Sequence, residues 1–398
     1  MRVVEWPKVN LAGYVELLAG FPFKSEHYTD KSDDVALVKG ENVSQGCILW
    51  EISKRWRAAE FAQLQKFELV PGDVVVAMDR PWVPAGLKWA FIRKGDPQAL
   101  LVQRCARLRS KHESLNQDFL RFVIGGSGFE GYVKPITTGV NIPHISGKQI
   151  LDFEFTLPPL SSQRRITAIL SAYDELIENN QRRIRILEDM ARSLYREWFV
   201  HFRYPGHESV PLMDSQLGQI PKGWEVKSVK EILARRPAGS VYRDADVKPE
   251  GDVPVIDQST NELLGFHGNA PDHQASSVSP MAIFGDHTCK MQLLIEPFSV
   301  GPNVVPFTAN NEMPTSYVFY AVNSLVHTQE YKRHWIPLTA KEVVVADHAT
   351  AQRFASLIQP MLITQETYRK AIRNLRRTRD QLLLRLLSGQ INLVDADL

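Results

Sequence analysis

At 398 residues the chain has room for two or three domains with proper cores. Its 44% hydrophobic and 23% charged content is ordinary for a soluble protein, and a net charge of +2 is too small to announce nucleic-acid binding by itself. No apolar run approaches the roughly 20 residues of a membrane span, so no membrane partner is expected. The opening stretch MRVVEWPKVN lacks the apolar core of a signal peptide. Three scattered cysteines, Cys47, Cys105 and Cys289, argue for a reducing, cytoplasmic setting.

From Trp6 the chain reads as a mixed segment, rich in short strands with few helices. The run Asp73–Ala77 is a β-type stretch bounded by Gly and Asp. A strand over Asp152–Leu157 is stopped by Pro158-Pro159, after which Ser161 or Ser162 can cap a helix. No Gly or Pro follows until Pro205, so that helix can run for roughly 40 residues, about 60 Å. A connector covers His201–Gly223, with turn residues Pro205, Gly206, Gly218 and Pro221. A second mixed segment opens at Gly223-Trp224-Glu225-Val226 and ends on the strand-like run Lys341–Val345. A second long helix is expected from about Thr350 to Leu387, with Gly389 just past its end. Pro360 predicts a kink or break in it, with regular coil from about Met361 onward.

The two long helices repeat one another. At one constant offset, Leu170, Tyr173, Ile184, Leu187, Leu194 and Trp198 fall on Ile358, Met361, Ile372, Leu375, Leu382 and Leu386. The first helix carries a heptad through Ile166, Leu170, Tyr173, Ile177, Asn180, Ile184, Leu187, Ala191, Leu194 and Trp198. Asn180 is its one polar position, expected to cost stability and fix register. The second carries Phe354, Ile358, Met361, Gln365, Tyr368, Ile372, Leu375, Arg379, Leu382 and Leu386. A module repeated in one chain is a dimer made covalent, with two similar faces about a pseudo-two-fold axis. The expected fold is α+β: two mixed strand-rich domains, each followed by a long helix, the helices paired as an antiparallel coiled coil. The alternative, each helix packed on its own mixed domain, stays open. The first mixed segment is longer than the second, so the two faces are not identical. Arg369, Lys370, Arg373, Arg376, Arg377, Arg379 and Arg385 make the second helix basic beside a single nearby acid, Asp380. That face suits phosphates or an acidic partner, or is simply solvated.

Four stretches carry a family resemblance. They are Gly20-Phe21-Pro22-Phe23-Lys24-Ser25 with Tyr28, Phe155–Leu160 leading to Gln163-Arg164-Arg165-Ile166, Leu217–Trp224, and Arg379–Leu383 with Leu387-Ser388-Gly389. In this order the chain resembles the specificity subunit of type I restriction–modification enzymes over nearly its full length. It departs from the pattern before the second helix, where Val345-Ala346-Asp347-His348 stands in place of a Pro-Pro pair; Gln352-Arg353 remains, one residue out of step.

The resemblance implies a first target-recognition domain over 1–158 and a first spacer helix over 159–202. It implies a connector and second recognition domain over 203–345, then a second spacer helix and tail over 346–398. Each recognition domain would read half of a split, asymmetric sequence in double-stranded DNA. The helices would set the distance between halves and dock two methyltransferase subunits, and two motor-nuclease restriction subunits would complete the complex. S-adenosylmethionine, ATP and Mg2+ would belong to those partners, with no cofactor or metal in this chain.

No catalytic residue is expected. The chain has no Asn-Pro-Pro-Tyr motif and no phosphate-binding loop, and Gly125-Gly126-Ser127-Gly128 reads as a turn. Asp214 upstream of Glu225 and Lys227 resembles a nuclease metal site only superficially. His287 and Cys289 lack a second ligand pair. Base reading calls for Arg, Lys, Asn, Gln, Asp or Glu, and phosphate anchoring for Lys, Arg, Ser or Thr, on positioned loops. In the first segment these are Asp79–Trp82 with Arg80, and Tyr132–Asn141 with Lys134, Thr137, Thr138 and Asn141. In the second they are Phe284–Lys290 with His287, Thr288 and Lys290, and Tyr331–Trp335 with Lys332 and Arg333, with Lys341 nearby. Competing readings are a coiled-coil scaffold for protein partners and a stand-alone DNA-modifying enzyme.

Overall fold

The computed structural model describes residues 6–83, 86–137, 143–259, 263–310, 312–328, 332–387 and 390–391. The chain divides into two compact units, Met1–Leu176 with Asn374–Leu398, and Ile177–Arg373.

In the first unit, strand Lys8–Asn10 pairs antiparallel with Glu154–Thr156, so the start of the mixed segment closes on its end. A five-stranded sheet follows the order Val15–Ala19, Cys105–Ser110, Val74–Ala77, Trp89–Phe91, Gln45–Gly46. A four-stranded sheet follows Arg55–Trp56, Val35–Val38, Ala99–Leu101, Glu68–Leu69. Strands Val35–Val38 and Val74–Ala77 are buried at every residue, which is why they read as unbroken apolar runs. Helices Gln117–Ile124 and Ser127–Ile136 lie beyond the last strand. Gly125 and Gly126 form their junction, while Ser127 and Gly128 are helical.

The second unit repeats this plan. Glu225–Ser228 pairs antiparallel with Glu342–Val345, as Lys8–Asn10 does with Glu154–Thr156. The order Leu233–Arg235, Val304–Ala309, Met281–Gly285, Met291–Leu294 matches the first four strands of the five-stranded sheet. The order Leu263–His267, Val253–Ile256, Ser299–Val300 matches Arg55–Trp56, Val35–Val38, Ala99–Leu101, including the parallel contact in each. Helix Thr315–Val322 stands where Gln117–Ile124 stands. Among the described residues, Gln45–Gly46 and Glu68–Leu69 have no counterpart, in keeping with the shorter second segment.

The first long helix is Leu160–Tyr195, continued by a π-helical turn over Arg196–Val200 that carries Trp198. The second is His348–Leu387, continuous through Pro360. The expected break is therefore absent: one lost N–H is tolerated where the flanking turns are held by packing. Its start lies two residues before the expected one because Asp347 accepts from Thr350 N at 2.9 Å and from Thr350 Oγ1 at 2.7 Å.

The long helices pack together and run antiparallel. In the first unit Ile166, Leu170 and Leu386 are buried in one core, with Leu382 against it. There Arg379 Nη1 donates to Asp174 at 2.7 Å. In the second unit Ala191, Trp198, Phe354 and Ile358 share a core, with Leu194 against it. There Arg369 donates to Glu188 at 3.1 Å, and Arg183 lies over the Tyr368 ring at 5.5 Å. Ile177 and Ile372 are buried, while Ile184, Leu187, Tyr368 and Leu375 are half-buried. Asn180 is only half-buried. The fully buried polar residue of the heptads is Gln365, whose Nε2 has no hydrogen-bond partner among the described residues.

The basic face of the second helix is largely neutralised. Arg369 pairs with Glu188, Lys370 with Glu296 at 2.8 Å, Arg373 with Glu366 at 3.3 Å, and Arg379 with Asp174. These acids come from the partner helix, from a loop of the second unit and from the helix itself. A count of charges near Asp380 in sequence could not include most of them.

Candidate nucleic-acid interface

Strand direction decides which loops meet. Val35–Val38 and Ala99–Leu101 run parallel, so the loops that leave them, 39–44 and 102–104, emerge at one edge. Val74–Ala77 runs antiparallel to Trp89–Phe91 and Cys105–Ser110, which brings residues 78–81, Lys88 and Arg104 to that same edge. An isolated bridge between Asp79 and His144 adds the segment before the first long helix.

Asp79 organises this edge. Its carboxylate accepts from His144 Nδ1 at 2.6 Å and from Arg104 Nη1. Burial alone would raise its pKa, but the hydrogen bonds from Arg104 and His144 outweigh it and hold the carboxyl below its ordinary value. Arg80, exposed and left-handed at φ 45°, donates its backbone N–H to Pro143 O at 2.6 Å. Trp82 donates to Glu130 at 3.1 Å, and Lys134 pairs with Glu130 at 2.8 Å while lying 4.5 Å from the Trp82 ring centre. The two segments singled out in the sequence therefore meet. Tyr132–Ile136 is helical rather than a loop, with Pro135 in the last turn of the helix Ser127–Ile136. Thr137 ends that helix, and its hydroxyl donates to Val133 O at 2.7 Å. Thr138 and Asn141 lie outside the described residues.

The second unit assembles the matching edge. Met281–Gly285 and Met291–Leu294 form a hairpin whose turn holds His287, Thr288 and Lys290. Buried Asp286 accepts from the backbone N–H groups of His334 at 3.0 Å and Trp335 at 2.9 Å, and Arg333 Nε lies 3.8 Å away. That carboxylate joins the two predicted segments and leaves Lys332 and Arg333 exposed. His287 N donates to Gln258 Oε1 at 3.1 Å, Thr288 Oγ1 to Gln258 O at 2.8 Å, and Lys290 Nζ to Ser259 O. Thr288 and Lys290 thus hold a neighbouring loop. Lys341 is exposed, and its carbonyl accepts from Val229 N at 2.8 Å, on the strand pair rather than the loop edge.

Sequence reasoning missed two loops in each unit. One is 39–44, matched by 257–259. Lys88 Nζ donates to Gly40 O just as Lys290 Nζ donates to Ser259 O, so each loop is pinned by a lysine next to an equivalent strand. Burial is the main cause that pulls the Lys88 ammonium below its ordinary pKa. The other is 102–104, matched by 301–303. Gly301-Pro302 is a turn signal that could have marked its loop; the loop at Arg104 carries no such signal.

The remaining candidates are accounted for. Asp214 sits on an exposed hairpin beside Gln219 at 3.5 Å, and Glu225 pairs with Lys227 at 2.6 Å. Cys289 is left-handed in its turn at φ 55°. Among the described residues, no group of three or more His, Cys, Asp or Glu is placed to hold a metal ion, and no helix is long and apolar enough to cross a membrane.

Three of the four family-like motifs have clear structural duties. Gly20 must be glycine, because a Cβ would lie 2.2 Å from Val102 O. Phe21, Phe23, Tyr28 and Trp56 form an aromatic cluster beside it. Gln163, fully buried, accepts from Asn116 N and donates to Ser114 O and Pro158 O, all at 2.8 Å. Trp224 is buried and donates to Asp347 at 3.2 Å.

Residues 4–189 match the family described as type I restriction modification DNA specificity domain. The chain is 31% identical over 173 residues to the type I restriction enzyme EcoAI specificity subunit of Escherichia coli, covering 44% of this chain but 28% of that relative. It is 24% identical over 298 residues to the MjaIX specificity subunit of Methanocaldococcus jannaschii, covering 69% of each. Its fold resembles the crystal structure of the type I restriction–modification S subunit from M. genitalium, with a TM-score of 0.54, 17% identity and 96% of each chain covered.

Proposed function

This chain carries the type I restriction–modification DNA specificity domain over residues 4–189, and from that premise we propose that it reads a bipartite, asymmetric sequence in double-stranded DNA. The observation that carries the reading is the repeated loop edge: one strand plan in both units, with unlike side chains along the two matching edges. In the first unit the edge offers Arg80, Lys134 and Arg104; in the second it offers Lys332, Arg333 and Asn303. Equivalent scaffolds with different chemistry suit two different half-sites.

The recognition domains are assigned to 1–158 and 203–345, and the spacer helices to 159–202 and 346–398. The paired helices set the separation of the half-sites and dock two methyltransferase subunits, with two motor-nuclease subunits completing the complex in the cytoplasm. Catalysis belongs to those partners, which bind S-adenosylmethionine, ATP and Mg2+. Lys134, Lys332 and Arg333 supply phosphate contacts, so binding weakens steeply with salt.

The test is adenine-methylation mapping in a host carrying this chain with its methyltransferase subunit. A split motif that disappears when this chain is omitted is the expected result. Methylation without a split motif, or an unchanged pattern without the chain, overturns the proposal.

A further inference from the structure

Two exposed residues occupy the same place in the two repeats. Arg104 immediately precedes strand Cys105–Ser110, and Asn303 immediately precedes its equivalent, Val304–Ala309. Both are left-handed, at φ 65° and φ 60°. Both are fixed by the same backbone contact: Met78 N donates to Arg104 O and Asp286 N to Asn303 O, each at 2.8 Å. Met78 and Asp286 are themselves equivalent, each following the neighbouring strand, Val74–Ala77 or Met281–Gly285. A left-handed backbone is uncommon for arginine and better tolerated by asparagine. Both residues are exposed where they enter the end of the sheet.

The side chains differ in the way that base readers differ. Arg104 presents a guanidinium that is 62% exposed, held from one side by Asp79, which His144 holds in turn. A carboxylate behind an arginine fixes its direction and leaves further N–H groups free to face a ligand. Arginine pairs bidentately with guanine O6 and N7, and asparagine with adenine N6 and N7. Resting on the DNA-reading function proposed above, we infer that Arg104 and Asn303 are equivalent specificity-determining residues: Arg104 selects a guanine in one half-site and Asn303 an adenine in the other. Asp79 is a positioning residue for Arg104.

The test uses the full chain in complex with its methyltransferase subunit, with target preference read by selection from randomised duplex DNA. Arg104→Gly and Asn303→Gly are the variants of choice, because glycine keeps the left-handed backbone without strain. Arg104→Gly should relax one guanine position by about tenfold or more, leaving the other half-site intact. Asn303→Gly should relax one adenine position in the opposite half-site only. Asp79→Asn should weaken discrimination at the Arg104 position while Arg104 remains in place. A wild-type split motif that either glycine variant leaves unchanged overturns the inference, as does relaxation at some other base. A variant that loses all binding is resolved by Arg104→Gln and Asn303→Asp, whose side chains pair with adenine and cytosine instead. Retained binding with altered preference at the same position supports the inference, and retained binding with the wild-type motif overturns it. A wild-type complex that selects no split motif overturns the underlying function instead, a distinct result.

Discussion

Arg379 of the second long helix donates to Asp174 of the first at 2.7 Å, and Arg121 approaches the same carboxylate at 3.4 Å. Arg379 is the one charged residue in the heptad of the second helix. Asp174 explains it: one acid on the first helix gathers a cation from the facing helix and one from the recognition domain. Arg121 lies over Phe91 and Phe122, with its charge 4.4 Å from each ring centre. Helix pairing and the placement of helix Gln117–Ile124 are thereby joined at a single side chain.

Replacing Arg379 with Ala should destabilise the chain by about 1–3 kcal/mol, because Asp174 keeps its partial burial and loses its better-placed partner. A double-mutant cycle with Asp174→Ala, followed by chemical denaturation, should return a clear coupling energy. Independent, additive effects would show that the pair does not fasten the helices.

Asp347 anchors the start of the second helix and also receives the Trp224 indole. Burial is the largest single influence and would raise its pKa, yet the bonds from Thr350 and Trp224 together hold it below the ordinary value. A carboxyl depressed on folding contributes stability above the unfolded value of about 3.9, lost as pH falls through the lower folded value. Asp347→Ala should therefore cost about 1–2 kcal/mol at pH 7. The gap from wild type should close below about pH 4. Parallel denaturation series at pH 7 and pH 3 check this; a gap that stays constant with pH would exclude the ionised cap as its cause.

The legible parts of this protein were those with long sequence periods. Heptads through Ile166 and Leu386 revealed both helices, because a/d spacing persists over many turns. The mixed segments were less legible because their strands are short, and parallel contacts such as Ala99–Leu101 with Val35–Val38 join residues far apart in sequence. That contact is what brings Arg104 to the loop edge. Thr288 and Lys290 illustrate a second limit: their residue types suit DNA, yet their side chains are spent on Gln258 and Ser259. Composition marks a polar loop without showing which of its groups are already engaged.

The Gln-Arg pairs that open the two helices look alike but do unlike work. Gln163 is buried with three hydrogen bonds, whereas Gln352 is exposed and buried Ala351 stands at the equivalent repeat position. Gln163→Leu should cost about 3 kcal/mol, since it strands the Asn116 N–H and two carbonyls in the interior. Gln352→Ala should stay within about 0.5 kcal/mol. Thermal or denaturant unfolding of both variants distinguishes the positions, and equal losses would mean that the two glutamines carry the same structural load.

If the paired helices act as a spacer, their length should be adjustable in steps of one heptad. Removing Ile184–Met190 alone breaks the register with the second helix and should abolish assembly. Removing the facing heptad Leu362–Tyr368 as well restores the alternation of apolar positions on both sides. It also removes Gln365, whose buried Nε2 has no partner among the described residues. The doubly shortened pair loses about 10 Å of helix, close to three base pairs at about 3.4 Å each. Methylation mapping should then show both half-site sequences unchanged and the gap between them shorter by about three base pairs. Affinity should fall too, because three base pairs is about a third of a DNA turn and the half-sites move out of phase. An unchanged gap at unchanged affinity would remove the helices from the measurement of distance and leave them only as a docking surface.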